Sequence, residues 1–377
     1  MLNRSYWEDK AFFGQPDYLV IGAGLVGMYT AYFIKSSQPE SDVLVVDRGP
    51  FSNGASTKNA GFACFGSVSE LIEDIDHFGR EKVLKTVRMR YNGLRLTRNI
   101  FSDAAIGYNE CGGIEVFRKE DAGLFGSCHD RLSEINDLVY EATGEKDVFS
   151  VRQGNPEGCK NISHHIFNRK EGSLDTGNFN LQLRRHCDRL GIRFLSGLQV
   201  TDLDLVNKTV NTQHFGPVTA GNIIVTINGF INQLINMPDV RPVRNQVMVT
   251  EVIPGWKLNG CFHLDRGYFY FREIDGRLLI GGGRNVLGHP EETDQLDTTE
   301  AAYQLLNDII TNHLDLGSIP RIEYHWSGIL GVGSDKKPII REIASGIYIG
   351  VRMGGMGVAI SSLVGKELAA LILDEAI

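Results

Sequence analysis

Tyr18-Leu19-Val20-Ile21-Gly22-Ala23-Gly24-Leu25-Val26-Gly27 is the stretch on which the reading of this chain turns. Its first four residues form an apolar run that ends at Gly22. The apolar positions after Gly24 then continue at helical spacing through Val26, Tyr29, Ala31 and Phe33. Val43-Leu44-Val45-Val46 is a second apolar run, closed by Asp47-Arg48-Gly49-Pro50. Strand, glycine turn, helix and strand make one βαβ unit, and the unbroken apolar runs predict strands covered on both faces.

The glycines stand at GxGxxG spacing directly after a strand and at the start of a helix. A dinucleotide pyrophosphate needs that arrangement: Gly22 makes the tight turn, Gly24 lets backbone approach the phosphates, and Gly27 permits close helix packing. The first amides of the helix, at Leu25 and Val26, face the anion. Asp47, twenty positions beyond Gly27, is placed to accept hydrogen bonds from a ribose diol. Its charge disfavours a 2′-phosphate, so FAD or NAD is expected before NADP, although Arg48 partly offsets that argument.

The rest of the chain sets bounds around this motif. At 377 residues it is long for a single core, and two domains are expected. Apolar residues at 42% and charged residues at 22% are ordinary for a soluble globular protein. A net charge of -8 argues against a surface that wraps nucleic acid, while leaving room for a local arginine that holds an anionic substrate. The six cysteines are scattered without a CxxC pair, which reads as reduced thiols and a cytoplasmic location. The start, Met1 to Lys10, lacks the apolar run of a signal peptide, and glycines interrupt the apolar stretch Tyr18 to Ile34, so no transmembrane segment is expected.

Further along, Ser69 to Phe101 reads as helix with a break at Gly79, and residues 105 to 165 read as an insertion with a short helix around Arg131 to Glu141. Parallel-sheet character returns with helix Phe179 to Leu190 and the runs at 192–195 and 223–227. Antiparallel strands are expected at Gln246 to Val252, Tyr268 to Arg272 and Leu278 to Gly281, with Asp275-Gly276 as a hairpin turn. A helix through Ala302 to Ile310 packs on them, and strand Gly346 to Val351 leads to a final helix from Val358 to Leu373. His164-His165 lack metal spacing, Arg184-Arg185-His186 reads as a solvated helix face, and no G-x-S-x-G motif is present.

A second segment separates the cofactors. Gly54-Ala55-Ser56-Thr57-Lys58-Asn59-Ala60-Gly61-Phe62 closely resembles the flavin-side segment of FAD-dependent oxidoreductases related to D-amino-acid oxidase and glycine oxidase, nearest the gamma-glutamylputrescine oxidase-like branch. The resemblance extends through Ser5-Tyr6-Trp7, Leu174-Asp175-Thr176-Gly177, Gln199-Val200, Asn228-Gly229, the run Tyr268 to Gly282, Trp326-Ser327-Gly328, and Gly354-Gly355-Met356-Gly357-Val358. It implies a Rossmann-like GR2-type FAD-binding domain of α/β class over 1-98, 165-240 and 320-377. A substrate-binding domain on an antiparallel sheet, the α+β part, would occupy 99-164 and 241-319.

What the resemblance implies for the site follows residue by residue. Ser56, Thr57 and Lys58 would lie near the phosphate or ribityl portion, with Ala55 leading into them, and Asn59, Ala60 and Gly61 beside the ring. Val200 would meet adenine, Asn228 and Gly229 would turn after a central strand, and Gly328 would lie near the ring. Amides from Arg352 to Val358 would approach the O2 edge of the flavin, as a glycine cluster at a helix start also suggests unaided.

The expected activity is oxidation of a small primary or secondary amine or amino acid by hydride transfer to flavin N5, giving an imine that hydrolyses. FAD would be held noncovalently, because no C-terminal cysteine matches a family attachment site. Oxygen or another carrier would accept the electrons, and Leu279 stands where some relatives carry an oxygen-activating lysine. Tyr268 and Tyr270 are candidates for substrate contact because residues two apart share a strand face. Glycine oxidase holds its substrate carboxylate with an arginine where this chain has Leu330, so Arg352, Arg244 or Arg272 would supply such a contact here, or the substrate lacks the carboxylate. Two alternatives stay open: an FAD-dependent 2-hydroxy-acid or polyol dehydrogenase, and a noncatalytic FAD-binding interaction protein.

Overall fold

A computed structural model describes residues 4–375; the expectation for Met1-Leu2-Asn3 lies outside the described residues, as do the last two residues of the expected cofactor domain. Two sheets organise the described chain. The first has six strands in the order Ile339–Ala344, Ile347–Val351, Asn222–Val225, Tyr18–Ile21, Val43–Asp47 and Arg193–Ser196. All its neighbours run parallel except the edge pair formed by Ile339–Ala344 and Ile347–Val351.

Alternation along these strands explains their composition. Leu19 and Ile21 enter one apolar cluster with Leu44 and Val46, whereas Tyr18 and Val20 enter another with Val43 and Val45. Helices Leu25–Ser37, Thr176–Arg189 and Gly357–Leu373 contribute to the second cluster, and a three-stranded layer of Val200–Asp204, Thr209–Thr212 and Gly216–Thr219 contributes to the first. With both faces covered, a polar residue mid-strand would be desolvated on either side.

The larger sheet has eight strands, ordered Ile322–Val332, Arg241–Thr250, Arg277–Gly282, Phe269–Ile274, Cys261–Leu264, Gly113–Arg118, Ile162–Asn168 and Phe149–Gln153. Asp275 and Gly276 both have positive φ, 51° and 73°, which is the two-residue hairpin turn whose twist matches its strands. Gly79 separates helices Val68–Phe78 and Arg80–Ile100.

The sheets displace two expected boundaries. Strand Ile162–Asn168 straddles residue 165 and belongs to the larger sheet, and Ile322–Val332, assigned from sequence to the cofactor part, pairs along its length with Arg241–Thr250. Residues 320–332 carry cofactor-family motifs yet fold with the other sheet. Their hydrogen-bond partners lie some eighty residues upstream, which local periodicity does not reveal.

Candidate active site

Gly22 closes the first strand with φ of 105°, a conformation that L side chains rarely adopt. A Cβ on Gly27 would stand 2.0 Å from the Gly22 carbonyl oxygen, so the helix can lie against the turn only without one. Asp47 then ties the unit together: Oδ2 accepts from Ala23 N at 2.8 Å and Oδ1 from Gly49 N at 2.8 Å. Burial pushes this carboxyl up, opposed by those two hydrogen bonds and by Arg48. Leu25 N donates to Ser56 Oγ at 2.9 Å, bringing the short helix Ala55–Lys58 onto the start of Leu25–Ser37.

These elements border a long cleft at the ends of the parallel strands. From the sequence expectations, Gly22, Gly24, Leu25, Val26, Asp47 and Arg48 line it. So do Ala55, Ser56, Asn59, Val200 and Asn228, and at the far end Gly355, Gly357 and Val358. The other expected cofactor residues stand behind the lining and shape it. Thr57 Oγ1 donates to Ser52 O at 2.5 Å, the Lys58 carbonyl accepts from Trp326, and the Ala60 carbonyl accepts from Arg272. Gly61 N donates to Asn59 Oδ1 at 2.9 Å, Gly354 N to Gly331 O at 3.0 Å, and Met356 N to Met353 O at 2.8 Å. A Cβ on Gly229 would stand 2.6 Å from the Leu330 carbonyl oxygen and force the layers apart, whereas one on Gly328 would meet Lys58 Cβ at 3.2 Å, a tight contact.

The sequence reading missed several lining residues. Arg48 stacks 4.1 Å from the centre of the Phe230 ring and donates to Gln233 Oε1 at 3.2 Å; Phe230 and Gln233 both line the cleft. Their position on the turn after Asn228-Gly229 was the available signal. Ser52 and Ser361 also line it, and their buried hydroxyls have no hydrogen-bond partner within the described protein. Unspent hydroxyls, helix-start amides and a carboxylate at the second strand fit the polar groups of a flavin dinucleotide.

Beside the cleft, the register of the larger sheet fixes one face. Trp326 is paired with Val247, Val247 with Gly281, Gly281 with Tyr270, and Tyr270 with His263. Residues 58–62 lie across this face: Trp326 Nε1 donates to Lys58 O at 3.0 Å, and Arg272 Nε donates to Ala60 O at 2.8 Å. The Phe62 ring meets Tyr270 and His263 edge-on at 5.5 and 5.3 Å. Asn245 Nδ2 donates to Tyr270 Oη at 2.6 Å, and burial pushes the phenol up, so the hydroxyl keeps its proton to donate.

The structure separates the remaining candidates. Tyr268 does not share the face of Tyr270, because the strand begins at Phe269 after a turn; its ring packs with the opposite core and Arg284 stacks on it at 4.9 Å. Arg352 is corrected as a carboxylate clamp: its guanidinium is buried and bonded to Asp239 and to the Lys337 carbonyl, with Asp335 at 3.5 Å. Only its backbone turns to the cleft side, where Arg352 N and Met353 N both donate to Asn228 Oδ1 at 3.1 Å. Arg244 is likewise engaged, in a two-pronged pair with buried Glu291 at 2.9 Å and with Asp297. Arg272 has no carboxylate partner among the described residues but gives donors to the Ala60 and Leu174 carbonyls. No cluster of His, Cys, Asp and Glu suited to a metal ion occurs among the described residues, nor does a helix long and apolar enough to cross a membrane.

A dinucleotide cleft on a mostly parallel sheet, roofed by a second sheet whose aromatic and apolar face looks onto the cleft segment, defines a flavoprotein oxidoreductase. The chain belongs to the DAO family, FAD dependent oxidoreductase, which it matches over residues 17–371, and FAD is its cofactor. It is 24% identical to the probable oxidoreductase OrdL of Rhizobium meliloti, over 96% of this chain and 84% of that protein. It is 22% identical to the gamma-glutamylputrescine oxidoreductase of Escherichia coli, over 96% and 84%. Among solved structures, glycine oxidase from Geobacillus kaustophilus superposes with a TM-score of 0.76 at 16% identity, covering 96% of each chain. The L-alpha-glycerophosphate oxidase from Mycoplasma pneumoniae, with FAD bound, superposes with a TM-score of 0.72 at 16% identity, covering 96% and 95%. These distant superpositions establish the fold.

Proposed function

We propose that this enzyme oxidises a small primary or secondary amine or amino acid, with FAD held noncovalently. The reading rests on the apposition of Tyr270, held by Asn245, and of Trp326 to the segment 58–62, which Phe62 ends. The names of relatives that act on gamma-glutamylputrescine and glycine point the same way. Bound flavin supplies a two-electron acceptor for hydride from a substrate carbon. The chain's own contribution is to hold that carbon close and the amine neutral. Phe62 and Trp326 offer aromatic surface that excludes water, while Tyr270, oriented by Asn245, offers its hydroxyl as a hydrogen-bond donor to a substrate oxygen. An imine product then hydrolyses in solvent.

A substrate carboxylate would be met by Arg284, whose charge reaches past Tyr268 to the Tyr270 phenol and lowers it against the larger effect of burial. Arg352 and Arg244 are already paired with acids and Arg272 is committed to two carbonyls, whereas Arg284 is stacked on Tyr268 with no acidic partner among the described residues. Leu279, where a cation would favour reaction with oxygen, is buried with Val247 and Val249, which suits an acceptor other than oxygen. The decisive experiment is anaerobic bleaching of the purified holoenzyme by a panel of amines, amino acids and 2-hydroxy acids, with assay of released ammonia or amine. Reduction by a hydroxy acid, with none by any amine, overturns the reading.

A further inference from the structure

Behind the Phe62 strand lies a pair of thiols that flavin chemistry does not use. Cys111 sits just before strand Gly113–Arg118, and Cys261 begins strand Cys261–Leu264, its parallel neighbour. Their sulfurs are 3.9 Å apart. Cys261 is fully buried, whereas Cys111 keeps partial contact with solvent. Each has a second partner: Cys111 Sγ donates to Ser173 Oγ at 3.8 Å, and Cys261 Sγ to the Gly172 carbonyl at 3.4 Å. The contact with Cys261 brings the Cys111 thiol down to about 7, against the opposing effect of burial. Burial holds Cys261 in the thiol form. One sulfur is therefore an accessible, partly ionised nucleophile, and the other a protonated reserve beside it.

The same two thiols bear on the flavin segment. Gly172 and Ser173 pair antiparallel with Ala63 and Phe62, directly after Gly61. Glu171, the next residue upstream, holds His263 at 2.5 Å, and His263 packs against Phe62. Asn109, two residues before Cys111, exchanges backbone hydrogen bonds with Ser173 at 2.8 and 2.9 Å. Movement of either sulfur is thus one strand away from Phe62.

We propose that Cys111 and Cys261 form a peroxide-responsive disulfide site whose closure is felt at the Phe62 wall beside the flavin. The Cys111 thiolate attacks the outer oxygen of a hydroperoxide; the O–O bond breaks, the sulfur becomes a sulfenic acid, and an alcohol or water leaves. Cys261 sulfur then attacks Cys111 sulfur, the S–S bond forms, the S–O bond breaks, and the Cys261 proton leaves in a water molecule. Two thiols and one hydroperoxide give one disulfide, one water and one alcohol or second water, with two electrons passing to the peroxide. Closure brings the sulfurs to about 2 Å and withdraws the S–H donor from the Gly172 carbonyl.

The test uses the FAD holoenzyme, hydrogen peroxide at near-stoichiometric concentration, alkylation of remaining thiols, and peptide mass mapping. Free thiols are expected to fall from six to four, with one linked peptide joining Cys111 to Cys261 and full reversal by dithiothreitol. The visible flavin band is expected to shift on oxidation of the native protein and to stay fixed in Cys111→Ser. In Cys261→Ser, Cys111 should accumulate as a sulfenic acid that dimedone captures. Retention of all six thiols, a link between other cysteines, or oxidation of Cys111 without capture of Cys261 overturns the site. A Cys111–Cys261 disulfide with an unmoved flavin band overturns its coupling to the Phe62 wall.

Discussion

The indole Nε1 of Trp326 donates to the carbonyl of Lys58 at 3.0 Å, joining the larger sheet to the flavin-side segment across 268 residues of chain. Phenylalanine at 326 would keep most of the aromatic surface and remove the donor, a loss of about 1 kcal/mol for one such bond. Trp326→Phe is expected to weaken FAD binding several-fold, measured by quenching of flavin fluorescence on titration into apoprotein. An unaltered dissociation constant would show that the bond does not organise the segment.

Two glycines of one motif should fail differently. A side chain on Gly24 meets Ser56 Oγ at 3.0 Å on the cleft lining, whereas one on Gly27 meets the Gly22 carbonyl at 2.0 Å and Thr226 Oγ1 at 2.6 Å within the fold. Gly24→Val is expected to give a folded protein that purifies without yellow colour. Gly27→Ala should lower the urea midpoint, by roughly 1–3 kcal/mol in stability, before any effect on FAD is considered. Yellow Gly24→Val protein with native flavin content would count against the pyrophosphate contact.

Arginine substitutions sort the anion contact. Arg284→Ala should raise KM for amino acids tenfold or more while leaving uncharged amines within about twofold, because a charge-assisted bond is worth roughly 1.5–3 kcal/mol. Arg352→Ala should instead impair both substrate classes alike and lower thermal stability, since it removes a buried guanidinium that donates twice to the Lys337 carbonyl and pairs with Asp239. The measurement is paired steady-state kinetics on an amino acid and its decarboxylated amine.

His263 provides the pH dependence. Burial disfavours its charged form, but the attraction of Glu171 and the hydrogen bond to it, with Glu115 and Glu70 further off, outweigh that and raise the imidazole above 6.5. A proton held more tightly in the folded state stabilises it fully below pH about 6.5, and that contribution fades as pH rises through the raised value. Urea midpoints from about pH 5.5 to 8.5 should therefore decline more steeply for the native protein than for His263→Gln. Parallel profiles would show that the pair does not contribute in this way.

The local signals read well because each is decided within a few residues. The glycine turn, the strand on either side and Asp47 appear in the structure as the spacing implied, and Asp275-Gly276 makes its hairpin. The readings that failed concern side-chain direction and distant pairing. Two-residue periodicity put Tyr268 beside Tyr270, but a turn starts the strand one residue later and sends the rings to opposite cores. Arg352 lies where a substrate clamp was expected, with φ of 67° and its guanidinium turned toward Asp239. The strand Ile322–Val332 follows a cofactor motif along the chain and a different sheet in space.

The sequence by itself determined that this chain builds a βαβ unit around a dinucleotide, because tight turns, helix starts and buried strands depend on neighbours a few positions away. Tertiary structure alone decided which arginines are already neutralised, which tyrosine faces the flavin segment, and that Cys111 meets Cys261. Those outcomes depend on partners brought from tens to hundreds of residues away, and a side chain's freedom to act is set by what has already bonded to it.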